Sequence, residues 1–255
     1  MNGKTINQPI ISKVGGALLH VENLKKMAAW YGALFNIDVT IDKDIPFYVL
    51  DMDNNINLTL DDHRNLPSVG KRYPICQLKT KHIETAYKVI QEAGIPITLD
   101  LQRPHPGLAY FNTQDSEGNL LMICESDWIN PAPIKQNDTS HPIKNHLSNI
   151  IIPVYDLERA SEWYSKVLGF PIRKNHQIGG PVNSFDYEEG TGILLDDNRN
   201  NQDLTAFPGF MLKAQDINEA LSYVRKSHVD VVRNVQHDHY FVIKDIEGNS
   251  IMIST

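Results

Sequence analysis

The local pattern most typical of metal chemistry is His237-Asp238-His239, in which one residue separates two imidazoles. On a β-strand, alternate side chains face the same way, so both rings could bind one metal ion. The pattern directly precedes an apolar segment at 240–244 that we predict to be a strand. A polar hairpin turn leading into that strand explains the same residues, and it is the interpretation we favour.

The other residues that could do chemistry are scattered along the chain. His105 lies in a proline-rich segment, where it either contacts a ligand together with Tyr110 or belongs to a surface turn. Imidazoles ordinarily titrate near neutral pH, so His20 is a candidate acid, base or hydrogen-bond donor, although a packed histidine bonded to a carbonyl is the simpler explanation. Acidic clusters at 61–63 and 196–198 directly follow predicted strands, and turns account for them.

The elements that would carry these residues occur twice along the chain, in the same order. An acidic turn that ends in Gly-Asn runs into an apolar strand at 115–124 and again at 245–254. So many ordered matches indicate an internal repeat rather than chance similarity. The other matching pairs are Leu24, Trp30 and Tyr31 with Leu157, Trp163 and Tyr164; Leu60-Asp61-Asp62 with Leu195-Asp196-Asp197; and Tyr110-Phe111 with Tyr240-Phe241.

Each half of the chain predicts two units of one strand, one helix and further strands. Apolar residues at helical spacing alternate with short apolar runs bounded by turn residues, which indicates an α+β protein. In the first unit we expect a short strand at 38–41 after the helix. The polar, proline-rich segment 130–144 predicts a linker. The expected divisions are therefore a loose leader at 1–12, a first domain at 13–129, this linker, and a second domain at 145–255.

Two features of the sequence together resemble a known superfamily. One is a strand followed by Asp156-Leu157 and a helix containing Trp-Tyr and Leu-Gly-Phe; the other is the Asp-x-x-Gly-Asn turn that runs into the last strand. They are similar to the vicinal oxygen chelate superfamily, which includes glyoxalase I, the bleomycin and fosfomycin resistance proteins and the extradiol dioxygenases. The resemblance implies four βαβββ modules that form two tandem glyoxalase-like domains, each with a cupped mixed sheet around a cavity.

The resemblance also indicates where metal-dependent members bind their metal ion. One ligand place lies in the first strand of each module, and another lies four residues after the glycine of the Gly-Asn turn, where those members have glutamate. Such metals require imidazole or carboxylate ligands, which glycine, isoleucine and methionine do not supply and one asparagine supplies only weakly. We therefore expect no metal cofactor; the alternative is a divalent metal at a relocated site such as 237–239. The residues at the ligand places are Gly16, Ile75, Asn149, Gly209, Met122 and Met252.

Strand alternation indicates which side chains face the predicted cavities. Cys124 should share the face of Met122, whereas Cys76 should face the helix side, so the two thiols should not form a disulfide. By the same alternation Lys79 and Lys213 should face the cavities, where they would either bind an anion or be solvated. We favour the second cavity, because its signature is closer to that of the superfamily and one of its ligand places is polar. The predicted ligand-binding residues are Gly16, Leu18, His20, His105, Tyr110, Met122, Cys124, Asn149, Gly209, Met211, His239 and Met252.

The composition restricts the partners and the compartment. A net charge of −7 over 255 residues argues against a nucleic-acid surface, which would need clustered lysine and arginine. No apolar run approaches the roughly 20 residues of a membrane span, and the N-terminus lacks the apolar core of a signal peptide. Two cysteines suit a reducing compartment, so we expect a cytoplasmic protein. The halves could pair within one chain or across a homodimer.

Two functions of different classes follow from the sequence. The first is a small-molecule-binding protein, similar to the bleomycin-binding members, that holds an apolar or aromatic molecule in a soft cavity lined by methionine and glycine. The alternative is an enzyme, either a lyase or isomerase or an extradiol-type dioxygenase, that uses a relocated metal or metal-free acid–base chemistry. The absence of metal-binding residues at the usual ligand places favours the first function.

Overall fold

The computed structural model describes residues 10–64, 73–126, 140–169, 180–185, 191–199 and 207–255. The first half contains β1 (Lys13–His20), α1 (Leu24–Phe35), β2 (Phe47–Asp51), β3 (Asn57–Asp61), β4 (Cys76–Lys79), α2 (Ile83–Glu92), β5 (Ile97–His105), β6 (Leu108–Gln114) and β7 (Leu120–Ser126). The second half contains β8 (Ile143–Pro153), α3 (Leu157–Trp163) with a π-helical continuation (Tyr164–Leu168), β9 (Val182–Phe185), β10 (Gly192–Asp196), β11 (Pro208–Ala214), α4 (Ile217–Lys226), β12 (Asp230–Gln236), β13 (Tyr240–Lys244) and β14 (Ser250–Ser254). None of the helices within these ranges is both long and apolar enough to cross a bilayer.

Each half forms one seven-stranded mixed sheet in which two modules meet along their first strands. The strand order is β2-β3-β1-β4-β7-β6-β5 in the first sheet and β12-β13-β14-β11-β8-β10-β9 in the second. Strand β1 runs parallel to β3 and antiparallel to β4, and β8 has the same relation to β10 and β11. The predicted α+β architecture of two tandem domains with mixed sheets is confirmed.

Helix α1 is bounded by capping residues in the sequence and packs against both halves of the chain. The side chain of Asn23 caps its first turn by accepting a hydrogen bond from the backbone N–H of Lys26, and Asn36 ends it in the left-handed conformation. Met27 and Tyr31 on its apolar face are fully buried. The helix packs against strands of its own half and against β8 of the other half. One continuous apolar core therefore spans both halves.

The Gly-Asn turn of the second half holds the first helix. The hydroxyl of Tyr31, which is buried, donates to Asp245 Oδ2 at 3.1 Å. The carboxylate of Glu247 accepts from the backbone N–H groups of Glu22 and Asn23, at 2.7 and 2.8 Å, where α1 begins. A carboxylate at this position is favourable because it pairs with unsatisfied amides at the positive end of the helix dipole.

The Gly-Asn turn of the first half makes the reciprocal contact with α3. The hydroxyl of Tyr164 donates to Asp115 Oδ2 at 2.9 Å. Glu117 accepts from the backbone N–H of Tyr155 at 2.8 Å and forms an ion pair with Arg159 at 2.7 Å. The repeated turn therefore joins the halves, which gives it a structural role independent of any ligand.

Three segments differ from the predictions. No strand forms at 38–41; Val39 instead packs against the core and over Gly32, where a Cβ atom would come within 2.8 Å of its side chain, so side-chain burial rather than strand pairing holds this irregular segment. Ile10 and Ile11, which were assigned to the loose leader, are buried in the core. Strand β8 begins at Ile143, inside the predicted linker, and this residue is also buried. The remainder of the leader and of the linker, at 1–9 and 130–139, lies outside the described residues.

Candidate functional site

The face of the first sheet that points away from its helices carries a small apolar cluster separate from the main core. Leu18, Met122 and Cys124 are each at most 8% exposed, and Tyr110 packs against them. Tyr110 lies opposite Cys124 in the β6–β7 pairing, which brings both side chains to this concave face. Cys76 belongs to the main core instead, and both thiols are free, as strand alternation predicted.

Three aromatic rings stack at one end of this concave face. His20 ends β1, two residues beyond Leu18, while His63 follows β3 and Tyr73 precedes β4. The centroid of the Tyr73 ring lies 4.1 Å from that of His20 and 4.2 Å from that of His63, with interplanar angles of 13° and 16°. The parallel pairing of β1 with β3 sets His20 opposite Asp61, so the turn after β3 delivers His63 to the end of β1.

The turn that places His63 is built by an acidic side chain, and the second half builds the same turn. The backbone N–H of His63 donates to Asp61 Oδ1 at 2.6 Å, and His63 adopts a left-handed φ of 52°. In the second half the N–H of Asn198 donates to Asp196 Oδ1 at 2.7 Å, again at a φ of 52°. The acidic clusters are therefore turns, as predicted, and the halves differ in the residue that the turn presents.

The imidazoles have ring nitrogens without a hydrogen-bond partner among the described residues. These are Nδ1 of His20 and both ring nitrogens of His63. The side chain of His63 is 1% exposed, and its Nδ1 lies 3.6 Å from Asp61 Oδ2, beyond hydrogen-bond distance. Burial, followed by the proximity of His20, lowers the pKa of His63 to about 4. The ring is therefore neutral near pH 7 and presents one donor and one acceptor.

Sequence reasoning missed three residues of this face: His63, Tyr73 and Asn112. Asn112 lies opposite Met122 in the β6–β7 pairing, is buried, and has no partner for its Oδ1 within the described ranges. Strand alternation from Tyr110 could have identified it. His63 belongs to the cluster at 61–63 that the sequence explains as a turn, and no repeated motif marks Tyr73. Burial and the charge of Asp61 raise the pKa of Tyr110, so its hydroxyl stays protonated at neutral pH.

The two glycines predicted to line the cavities, Gly16 and Gly209, have different surroundings. A Cβ atom on Gly16 would lie 2.1 Å from the carbonyl oxygen of Asn57, so this glycine permits the close approach of β1 and β3 rather than making space. Gly209 is exposed, and a Cβ atom there would meet nothing within 4 Å. Only the second glycine therefore borders open space.

The corresponding face of the second sheet brings together three of the other predicted residues. Asn149 lies opposite Met211, which in turn lies opposite Met252. The amide nitrogen of Asn149 is 3.8 Å from the sulfur of Met211. At the positions equivalent to His20 and His63, this half has Pro153 and Asn198. These two positions of the second half therefore carry no imidazole.

The remaining predicted histidines lie at hairpin tips. His105 is exposed and borders a cleft of about 580 Å³ at the β5–β6 tip. His237 and Asp238 both have positive φ and form the turn between β12 and β13, so strand alternation does not apply to them. His239 is exposed, and its Nδ1 lies 3.0 Å from the hydroxyl oxygen of Thr255. The predicted hairpin turn is confirmed, and the two imidazoles do not share a strand face.

The residues present do not fit a divalent metal at the positions that the superfamily uses. Gly16 lies against backbone, and Met122 and Met252 offer thioethers where a hard cation requires oxygen or nitrogen. Across the described ranges, no three His, Cys, Asp or Glu side chains come close enough to hold a metal ion. We derive no metal-dependent reaction from this arrangement.

Comparisons with known proteins agree with this architecture. Residues 145–253 match the model of the Glyoxalase/Bleomycin resistance protein/Dioxygenase superfamily. An extradiol ring-cleaving dioxygenase from B. fuscum is 15% identical, with a TM-score of 0.64 over 97% of this chain and 72% of that chain. A catechol 2,3-dioxygenase is 15% identical, with a TM-score of 0.62 over 97% and 88%. The Mn(II)-bound glyoxalase from Novosphingobium aromaticivorans is 12% identical, with a TM-score of 0.66 over 97% and 83%. No curated protein is significantly similar in sequence.

Proposed function

We propose that this chain, whose residues 145–253 match the Glyoxalase/Bleomycin resistance protein/Dioxygenase superfamily, binds a small aromatic or apolar molecule on the concave face of its first sheet. The observation that carries the proposal is the apolar cluster of Leu18, Met122 and Cys124, which is separate from the main core and lies beside imidazole nitrogens that have no partner among the described residues. An apolar surface with a few convergent polar groups is the usual composition of a small-molecule site.

The imidazoles supply the polar part of the recognition. A buried polar group without a partner costs about 1–3 kcal/mol, and a ligand that pairs with it recovers that free energy. His63 is neutral and has both a donor and an acceptor to offer, so a hydroxyl or carbonyl on the ligand suits it better than a charged group. The stacked rings of His20 and Tyr73 favour a flat, aromatic body beside them.

We place the site in the first half, although the sequence favoured the second. The internal repeat serves as a control, because residues required only for the fold should recur in both halves. The turn-forming Asp61 and Asp196 do recur, whereas His20 and His63 are replaced by Pro153 and Asn198. The imidazoles are therefore not needed to build the turn or the sheet, which supports a role in ligand binding.

Fluorescence titration with phenylnaphthylamine, a neutral aromatic probe, tests the proposal. Met122→Gln keeps the length of the side chain but puts an amide in the apolar cluster, and Met252→Gln makes the same change in the second half. We expect the first variant to weaken binding about tenfold, because burying an unpaired amide costs on the order of 1 kcal/mol or more, and the second to bind as the wild type does.

Two results would refute the proposal. One is the absence of phenylnaphthylamine binding to the folded wild-type protein. The other is weakened binding in Met252→Gln together with unchanged binding in Met122→Gln, which would assign the site to the second sheet. Circular dichroism of each variant shows that the fold is retained, so that lost binding is not mistaken for unfolding.

A further inference from the structure

A basic cleft of about 230 Å³ lies at the other end of the concave face of the first sheet. Its charged lining consists of Lys13 on β1, Lys79 at the end of β4, and Lys81 just beyond it. The hydroxyls of Ser12 and Ser126 border the same space. Among the residues that the structure describes, no carboxylate lines the cleft and none forms an ion pair with these lysines, although the chain as a whole carries a net charge of −7.

Strand pairing within the sheet brings the lysines of the cleft close together. Lys13 and Lys79 are direct partners in the antiparallel pairing of β1 with β4. Like charges at directly opposite positions destabilise a sheet unless a counter-charge lies between them. An oxyanion in the cleft would remove that repulsion and accept hydrogen bonds from both ammonium groups.

Lys79 is also positioned by its neighbours. Its Nζ donates to Ser126 Oγ at 2.9 Å. Its aliphatic stem lies over Gly15, where a Cβ atom would come within 2.9 Å of the Lys79 Cε. The glycine thus permits the side chain to lie along the concave face, so the ammonium group is fixed in the cleft instead of extending into solvent.

The cleft adjoins the apolar cluster through Lys79. Lys79 lies opposite Cys124 in the parallel pairing of β4 with β7. Burial raises the pKa of the Cys124 thiol, and the nearby Lys79 ammonium opposes that effect, which reflects how close the charge lies to the cluster. A single small molecule could therefore contact both the apolar cluster and the cleft.

We infer that the cleft formed by Lys13, Lys79 and Lys81 binds the acidic group of the ligand whose apolar part lies on Leu18 and Met122. The ligand class is thus an aromatic or apolar compound that carries a carboxylate, phosphate or sulfonate group. This inference rests on the proposed function, which places the apolar part of the ligand on the same face.

A matched pair of fluorescent probes tests it. Anilinonaphthalene sulfonate and phenylnaphthylamine share the aromatic body, and only the former carries an oxyanion. Lys79→Met keeps the aliphatic stem and removes the charge, and Lys213→Met does the same at the equivalent position of the second sheet. We expect Lys79→Met to weaken binding of the sulfonate about tenfold and to change phenylnaphthylamine binding less than about twofold, with Lys213→Met resembling the wild type in both.

The outcomes separate this inference from the proposed function. If Lys79→Met leaves sulfonate binding unchanged, or weakens both probes equally, the cleft does not hold the acidic group and the inference fails while the proposed function stands. If wild-type protein binds the sulfonate but not phenylnaphthylamine, the proposed function fails, and the inference fails with it. If inorganic phosphate displaces the sulfonate at equal concentration, the cleft is a site for free phosphate, and the ligand-borne acid is ruled out.

Discussion

Replacing His63 with asparagine should remove a specific part of the pH dependence of stability. Asparagine is the residue that the second half has at the equivalent turn position, Asn198, with the same left-handed φ of 52°. Asparagine tolerates this backbone conformation well, so the substitution should preserve the turn. It removes the buried imidazole and leaves Asp61 and the strand pairing in place.

The direction of the effect follows from the lowered pKa of His63. The folded state holds this pKa at about 4, whereas that of an unperturbed imidazole is about 6.5. The unfolded chain therefore takes up the proton first as the pH falls, so this contribution to stability is fully present above about pH 6.5 and is lost between there and about pH 4.

The size of the effect follows from the same difference. The two pKa values correspond to about 3 kcal/mol of protonation free energy. We reduce this to about 2 kcal/mol, because the carboxylate of Asp61, 3.6 Å from Nδ1, would partly stabilise a protonated ring, and solvent screens the rest.

Urea unfolding of wild-type protein and of His63→Asn at about pH 7 and about pH 4 measures this contribution. We expect the wild type to lose about 2 kcal/mol more of its free energy of unfolding than the variant across this range. Carboxylates elsewhere titrate in both proteins and cancel in the comparison. Parallel pH profiles for the two proteins would show that His63 is not held neutral in the folded state, and the argument for its role in ligand recognition would lose its basis.

Three further predictions test the packing. Gly16→Ala should destabilise the protein by more than about 2 kcal/mol in urea unfolding, because its methyl group would overlap the neighbouring backbone, whereas Gly209→Ala should change stability by less than about 0.5 kcal/mol; equal effects would contradict the assigned difference. Tyr164→Phe should cost about 1–3 kcal/mol by the same measurement, since it removes the buried hydrogen bond across the halves, and a neutral result would show that the contact contributes nothing. A thiol reagent should react with Cys76 and Cys124 only after unfolding and then count both as free; fast reaction of the native protein would contradict their burial.

The repeated Gly-Asn turns show what a local sequence pattern can and cannot predict. Their order and spacing predicted tandem modules of an α+β fold, which the structure confirms, and a resemblance to the vicinal oxygen chelate superfamily, which the family match of residues 145–253 supports. From the sequence, these turns were of interest because the strands that follow them have methionine where metal-dependent members have a metal-binding glutamate. Their contacts with Tyr31 and Tyr164, which join the two halves, involve residues more than forty positions away and have no local signature.

Strand alternation determined which face each side chain occupies, since the period of two is a property of the strand itself. It correctly placed Met122 and Cys124 on one face and Cys76 on the other. What alternation does not contain is the register between strands. The register between β1 and β3 places the carbonyl of Asn57 where a side chain on Gly16 would lie. This contact explains why the position requires glycine.

Tertiary structure alone decided where the imidazoles meet. His20 ends one strand of the first module, His63 lies in the turn after another, and Tyr73 precedes the first strand of the next module, so their spacing in sequence carries no sign of a shared site. The parallel pairing of β1 with β3 and the antiparallel pairing of β1 with β4 bring the three rings within 5.1 Å of one another. The sequence thus determined the modules and the faces of their strands, because those depend on local periodicity. The site depends on which strands pair and in what register, and long-range contacts set both.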